Sequence, residues 1–104
     1  LFRKGVREGA NLFTVSANWP AARSRHWKTL LEARAIENLS CVVGVNRVGS
    51  DPGFRYPGGS RILNHQGAIE AEAGDSEAVL SCKLDYADLV AWRREFPALE
   101  DIKG

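Results

Sequence analysis

The side chains best able to act as nucleophile, base or metal ligand are two thiols and two imidazoles, Cys41, Cys82, His26 and His65. Their spacing argues against each of those roles. The thiols form no CxxC pair, and neither clusters with a histidine at the spacing a zinc site needs, so reduced thiols are expected. Cys41 opens the apolar run Cys41-Val42-Val43-Gly44-Val45, which reads as a buried strand where a free cysteine behaves as a small hydrophobe. Cys82, between Ser81 and Lys83, is expected to be half exposed on a strand, with no base beside it. His26 adjoins Trp27 on a helix, so the two point to different sides, and no acid stands at a spacing that would make His26 a general base. Gly58-Gly59-Ser60 lacks the lysine of a phosphate loop. No catalytic residue is therefore assigned, and no metal or cofactor is expected.

The elements carrying these groups alternate. Residues 1–8 read as the end of a helix closed by Gly9. Residues 11–17, Asn11-Leu12-Phe13-Thr14-Val15-Ser16-Ala17, read as a short buried strand bounded by Gly9 and Pro20. Over residues 24–39, Trp27, Leu30, Leu31, Ala35 and Ile36 recur at helical spacing, which predicts a helix that buries all five on one face, with Ser24 as its N-cap. Arg34 and Glu37, three apart, can pair on it, and Asn38 can serve its end. With residues 41–45 as a second strand, the order strand, helix, strand predicts a βαβ-like unit.

Residues 49–59, rich in glycine and proline, read as the main loop. Strands are then predicted at 60–64, 68–73 and 78–84, turning at His65-Gln66-Gly67 and Gly74-Asp75-Ser76-Glu77 as an antiparallel meander. Asp85 is expected to cap a last helix whose Tyr86, Leu89, Val90 and Phe96 share a face and which Pro97 stops.

Of the 104 residues, 44% are apolar and 26% charged, the composition of one globular domain. The 14 basic and 13 acidic side chains leave a formal net charge of +1, too little to draw the chain to nucleic acid or an anionic membrane. Arg3, Lys4 and Arg7 form a small basic patch without interleaved aromatics, which reads as a solvated helix face. No apolar run approaches the length of a bilayer span, and the first residues lack the pattern of a signal peptide, so a cytoplasmic location is expected. The absence of methionine and the abrupt amphipathic opening suggest a piece of something longer.

The segments Ala17-Asn18-Trp19-Pro20, Arg23-Ser24, His26-Trp27, Leu30-Leu31, Ala33-Arg34-Ala35-Ile36-Glu37-Asn38 and Gly44-Val45-Asn46-Arg47-Val48-Gly49 together resemble one family. They are similar to the stretch that follows the catalytic cysteine in ω-amidase-like carbon-nitrogen hydrolases of the nitrilase superfamily. Residues 92–101, from Trp92 to Asp101, resemble the family's closing helix and its proline stop. The resemblance implies an α/β fold, part of the α-β-β-α four-layer sandwich, with residues 1–104 as the C-terminal portion of a single domain. It implies amide hydrolysis by a Glu, Lys and Cys triad that lies upstream of this chain, and small ω-monoamides of dicarboxylic acids, such as 2-oxoglutaramate, as substrates. The helix carrying Arg34 and Glu37 would lie close to a subunit interface, so the expected partner is a second copy or the missing N-terminal half.

On the same resemblance, Asn18 and Trp19 stand at a strand end that leads into the active-site mouth, where an indole can wall a pocket for a short carbon chain. Trp19-Pro20 packing the strand-to-helix corner is the simpler alternative. Arg23 can receive the substrate's far carboxylate as a bidentate fork, against a solvated or helix-capping arginine. Asn18, Trp19 and Arg23 are thus the candidate substrate-binding residues. A second reading, from another class, is a catalytically empty assembly or binding module that keeps the family's dimer-forming helix.

Overall fold

A computed structural model describes residues 2–95; Phe96, Pro97 and the rest of the expected helix stop lie outside the described residues. A short helix α1 (Phe2–Arg7) leads through Gly9, in the left-handed region at φ 101°, into strand β1 (Leu12–Ala17). A 3-10 turn (Ala21–Arg23) runs directly into helix α2 (Ser24–Asn38), which returns the chain to β2 (Cys41–Asn46), parallel to β1 with Leu12 opposite Cys41 and Ala17 opposite Asn46. The predicted strand, helix, strand unit is therefore present. The remaining elements are β3 (Val48–Asp51), β4 (Phe54–Pro57), β5 (Arg61–Leu63), β6 (Ile69–Glu72) and α3 (Tyr86–Glu95). The main sheet has the order β1-β2-β5-β6, with β5 antiparallel to both neighbours, while β3 and β4 form a separate hairpin.

Period-two alternation sends Val42 and Gly44 of β2 and Leu63 of β5 toward α2, where Trp27, Leu31 and Ala35 close the core. Gly44 is required there, because a Cβ would lie 2.5 Å from Leu31 Cδ1 and 3.1 Å from Trp27 Cζ2. Arg61 is buried beneath α2, donating to Glu32 at 2.9 Å, to Glu72 at 2.6 Å and to the Lys28 carbonyl at 3.3 Å, so the charge is paired on both sides. Arg34 and Glu37 pair at 2.9 Å as predicted. Helix α2 ends in a Schellman arrangement: Ser40 N donates to Ala35 O and Leu39 N to Ile36 O, with Leu39 itself left-handed at φ 47°. The last helix is capped as expected, with Asp88 N donating to Asp85 Oδ1 at 3.0 Å and Leu89 buried. Arg93 fastens that helix to the start of the sheet through Leu39 O, Ala10 O and Ser40 Oγ.

Five expectations are corrected. Strand β1 is not buried: its residues alternate between exposed and half-buried, with Leu12 45% exposed. Ser24 is the first helical residue and makes no capping bond; Arg23 occupies the cap position, because the 3-10 turn feeds straight into the helix. Leu30 and Ile36 are exposed. At about 100° per residue Trp27, Leu31, Ala35 and Asn38 share a narrow arc, while Leu30 falls to one side of it and Ile36 well outside. Residues 49–59 are not a loop but the β3-β4 hairpin, since Pro52-Gly53, with Gly53 at φ 96°, suits the two central positions of a tight turn and Phe54-Arg55-Tyr56 pairs back onto Gly49-Ser50-Asp51. Residues 78–84 form no strand: they are irregular, with Leu80 and Leu84 half-buried and the rest exposed, so the meander stops at β6 and Cys82 is exposed.

Candidate functional site

Parallel strands β1 and β2 end together at Ala17 and Asn46, and the chain leaving β1 turns through Asn18, Trp19 and Pro20 into the 3-10 turn. Such a strand end is where an α/β sheet offers a crevice. Asn18 is exposed there, Trp19 is half-buried, and Arg23, on the 3-10 turn, is exposed. All three expected binding residues thus stand on one corner. Trp19 is anchored at both ends: its indole Nε1 donates to Arg23 O, and its ring lies 6.0 Å from that of Trp27 in a tilted packing. Trp27 in turn donates from Nε1 to Gly59 O at 3.0 Å. The Arg23 guanidinium enters no ion pair among the described residues, so its fork is open to an acceptor from solvent.

Opposite this corner runs the segment Gly58-Gly59-Ser60. Gly58, at φ 69°, donates to Arg47 O at 3.0 Å, and a Cβ at this position would overlap Gly74 O. The residue joining the two sides is Asn46, whose carboxamide bonds to Trp19 N, Trp19 O and Gly58 O. Sequence reasoning gave Asn46 no role. Its only signal was a polar residue ending an otherwise apolar strand. The β3-β4 hairpin flanks the corner, with β4 packed on the 3-10 turn and Arg47 lying 4.2 Å over the Tyr56 ring and 3.0 Å from Asp51.

The thiols stand apart from this corner. Cys41 begins β2 at the other end of the sheet, and burial raises its pKa, opposed by the hydrogen bond to the His65 backbone and, more weakly, by Arg93, with smaller upward influences of Cys82 and Glu70. A thiol held protonated is a poor nucleophile. His26 is exposed; His65 is buried, with Nε2 3.1 Å from Asp88 and its ring 6.2 Å from Trp92. Among the described residues no group of three or more His, Cys, Asp or Glu side chains is placed to hold a metal ion, and no helix is long and apolar enough to cross a membrane.

The sequence profile described as carbon-nitrogen hydrolase matches residues 2–94. The chain belongs to the carbon-nitrogen hydrolase family. It is 52% identical over 87 residues to an omega-amidase, YafV, of Yersinia enterocolitica, covering 82% of this chain and 34% of that protein. To the 2-oxoglutaramate amidase of Bacillus subtilis it is 39% identical over 101 residues, 97% of this chain and 39% of the relative. The crystal structure of XC1258 from Xanthomonas campestris, a CN-hydrolase superfamily protein with an arsenic adduct in its active site, superposes with a TM-score of 0.86 at 42% identity. That match covers 90% of this chain and 36% of the other. The carbon-nitrogen hydrolase chain described here thus spans between a third and two fifths of the length of these relatives, and its α/β fold is part of the nitrilase-superfamily sandwich.

Proposed function

We propose that this chain is the C-terminal portion of a carbon-nitrogen hydrolase that cleaves the amide bond of small ω-monoamides of dicarboxylic acids. The observation that carries this reading is the 52% identity to an omega-amidase, with the family match running through residues 2–94. The reacting thiolate, its glutamate base and the lysine that holds the oxyanion lie outside these residues on this reading, and neither Cys41 nor Cys82 replaces them. In the reaction the base takes the thiol proton, the thiolate attacks the amide carbonyl, ammonia departs, and water releases the acid.

The corner of Asn18, Trp19 and Arg23 then supplies substrate binding. Trp19 walls the space for a short carbon chain, Asn18 offers an amide to it, and Arg23 takes the distal carboxylate as a bidentate fork. A cytoplasmic homodimer fits the same reading. The test is ammonia release from 2-oxoglutaramate by the full-length protein and by residues 1–104 alone. The full-length protein is expected to turn over and the shorter chain to be inert; enzyme-like release that follows the purified 104 residues defeats the assignment of the triad elsewhere. A catalytically empty assembly module is the second reading, favoured by the exposed Leu30 and Ile36 on α2. A full-length protein that assembles but releases no ammonia would establish it.

A further inference from the structure

Asn46 ends β2 and does for Trp19 what a neighbouring strand would do. Its Oδ1 accepts from Trp19 N at 2.6 Å while its Nδ2 donates to Trp19 O at 3.0 Å, so one side chain satisfies both peptide groups of a residue that has already left the sheet. The other Nδ2 hydrogen goes to Gly58 O at 2.7 Å, and the Asn46 backbone N donates to Ser60 Oγ at 2.9 Å. Both donors and the acceptor of the carboxamide are thus committed. The residue is only 5% exposed, which leaves little room for water to substitute.

The residue type is specified by that bonding pattern. Aspartate would turn a carboxylate oxygen onto two carbonyls, serine would reach one partner of the three, and glutamine carries an extra methylene into a filled space. The consequence reaches the indole. With its main chain pinned by Asn46 and its Nε1 engaged by Arg23 O, Trp19 has both ends fixed, and the Gly58-Gly59 segment, also held by Asn46 and by Trp27, faces it at a set separation.

We infer that Asn46 is a positioning residue that holds Trp19 as the wall of the amide-substrate pocket, and so governs how well the carbon chain is bound while the bond-breaking step belongs to other groups. The inference rests on the amide-hydrolysis reading above. Its test is a double-mutant cycle in the full-length enzyme with Asn46→Asp, Trp19→Ala and both together, scored by kcat and KM for 2-oxoglutaramate. Asn46→Asp is expected to raise KM about tenfold with kcat held within about threefold. In the Trp19→Ala background the same change should add less than about twofold, because the group through which Asn46 acts is gone. Additive effects on KM, or a fall in kcat at unchanged KM, overturn the inference. If Asn46→Asp does not fold, Asn46→Ser carries the same cycle.

A second readout does not depend on turnover. The difference in emission between each protein and its Trp19→Phe counterpart isolates Trp19, and Asn46→Asp should open that indole to acrylamide quenching. Unchanged quenching overturns the inference even in an active enzyme. A full-length protein that releases no ammonia while Trp19 quenching responds defeats the amide reading and leaves the positioning of Trp19 by Asn46 supported.

Discussion

The two faces of the main sheet, carried by the same strands, are covered unequally. On the face under α2, Val42 and Leu63 are 0% exposed and pack on Trp27, Leu31 and Ala35. On the opposite face Leu12 is 45% and Val45 50% exposed, though their strands are the same β1 and β2. Both faces carry apolar side chains, and the second is closed only in places, at Cys41 and Ile62, which are 5% and 8% exposed. The covered face has its helix within the chain. The open one is where the four-layer sandwich of this family places its second sheet, and the outer edge of β1 is likewise without a strand partner among the described residues.

The comparison is broken most severely by a charge on the covered face. Leu31→Asp should cost about 3 to 5 kcal/mol, measured by urea or thermal unfolding, because the carboxylate enters a filled core without a partner. Val45→Asp on the open face of the same 104 residues should change stability by less than about 1 kcal/mol. Equal losses at the two sites would mean that both faces are covered.

Next in size is Arg61→Ala, expected to cost about 2 to 3 kcal/mol, since it removes a buried cation shared by Glu32 and Glu72 and leaves a cavity under α2. Solution behaviour sharpens the contrast from the open side. Residues 1–104 alone should associate or precipitate, and Leu12→Lys with Val45→Lys should shift them toward monomer by light scattering, with little change in helix content. A wild-type chain that is monomeric and freely soluble would mean that the open face needs no cover.

The smallest effects concern the thiols. In the full-length protein the double change Cys41→Ser, Cys82→Ser should keep most of the proposed amidase turnover, with only a packing loss at Cys41. Because burial raises the Cys41 pKa, the folded state disfavours its thiolate, so the fold's preference for the protonated form is fully present below the ordinary thiol range and is lost as pH rises through the raised value. Thermal melts should therefore fall more steeply at alkaline pH in wild type than in Cys41→Ser. Parallel pH profiles would show that Cys41 does not contribute.

Local pattern alone carried the alternation of elements: the β1, α2, β2 order, Gly9 after the first helix, Asp85 capping the last, and the Arg34-Glu37 pair all follow from interactions within a few residues. It also carried the family, because the motif residues from Ala17 to Gly49 stand close together in the chain. What it did not carry required partners distant in sequence. The β3-β4 hairpin was masked by its own turn residues, and residues 78–84 look strand-like yet find no strand to pair with. Leu30 and Ile36 share helical spacing with the core but fall outside the arc that meets the sheet. The candidate site divides in the same way. Asn18, Trp19 and Arg23 were legible as neighbours, whereas Asn46 became part of the corner only when the sheet brought it beside Trp19, 27 positions away. A carboxamide declares its role only through the groups it bonds, and only the tertiary structure supplies those groups.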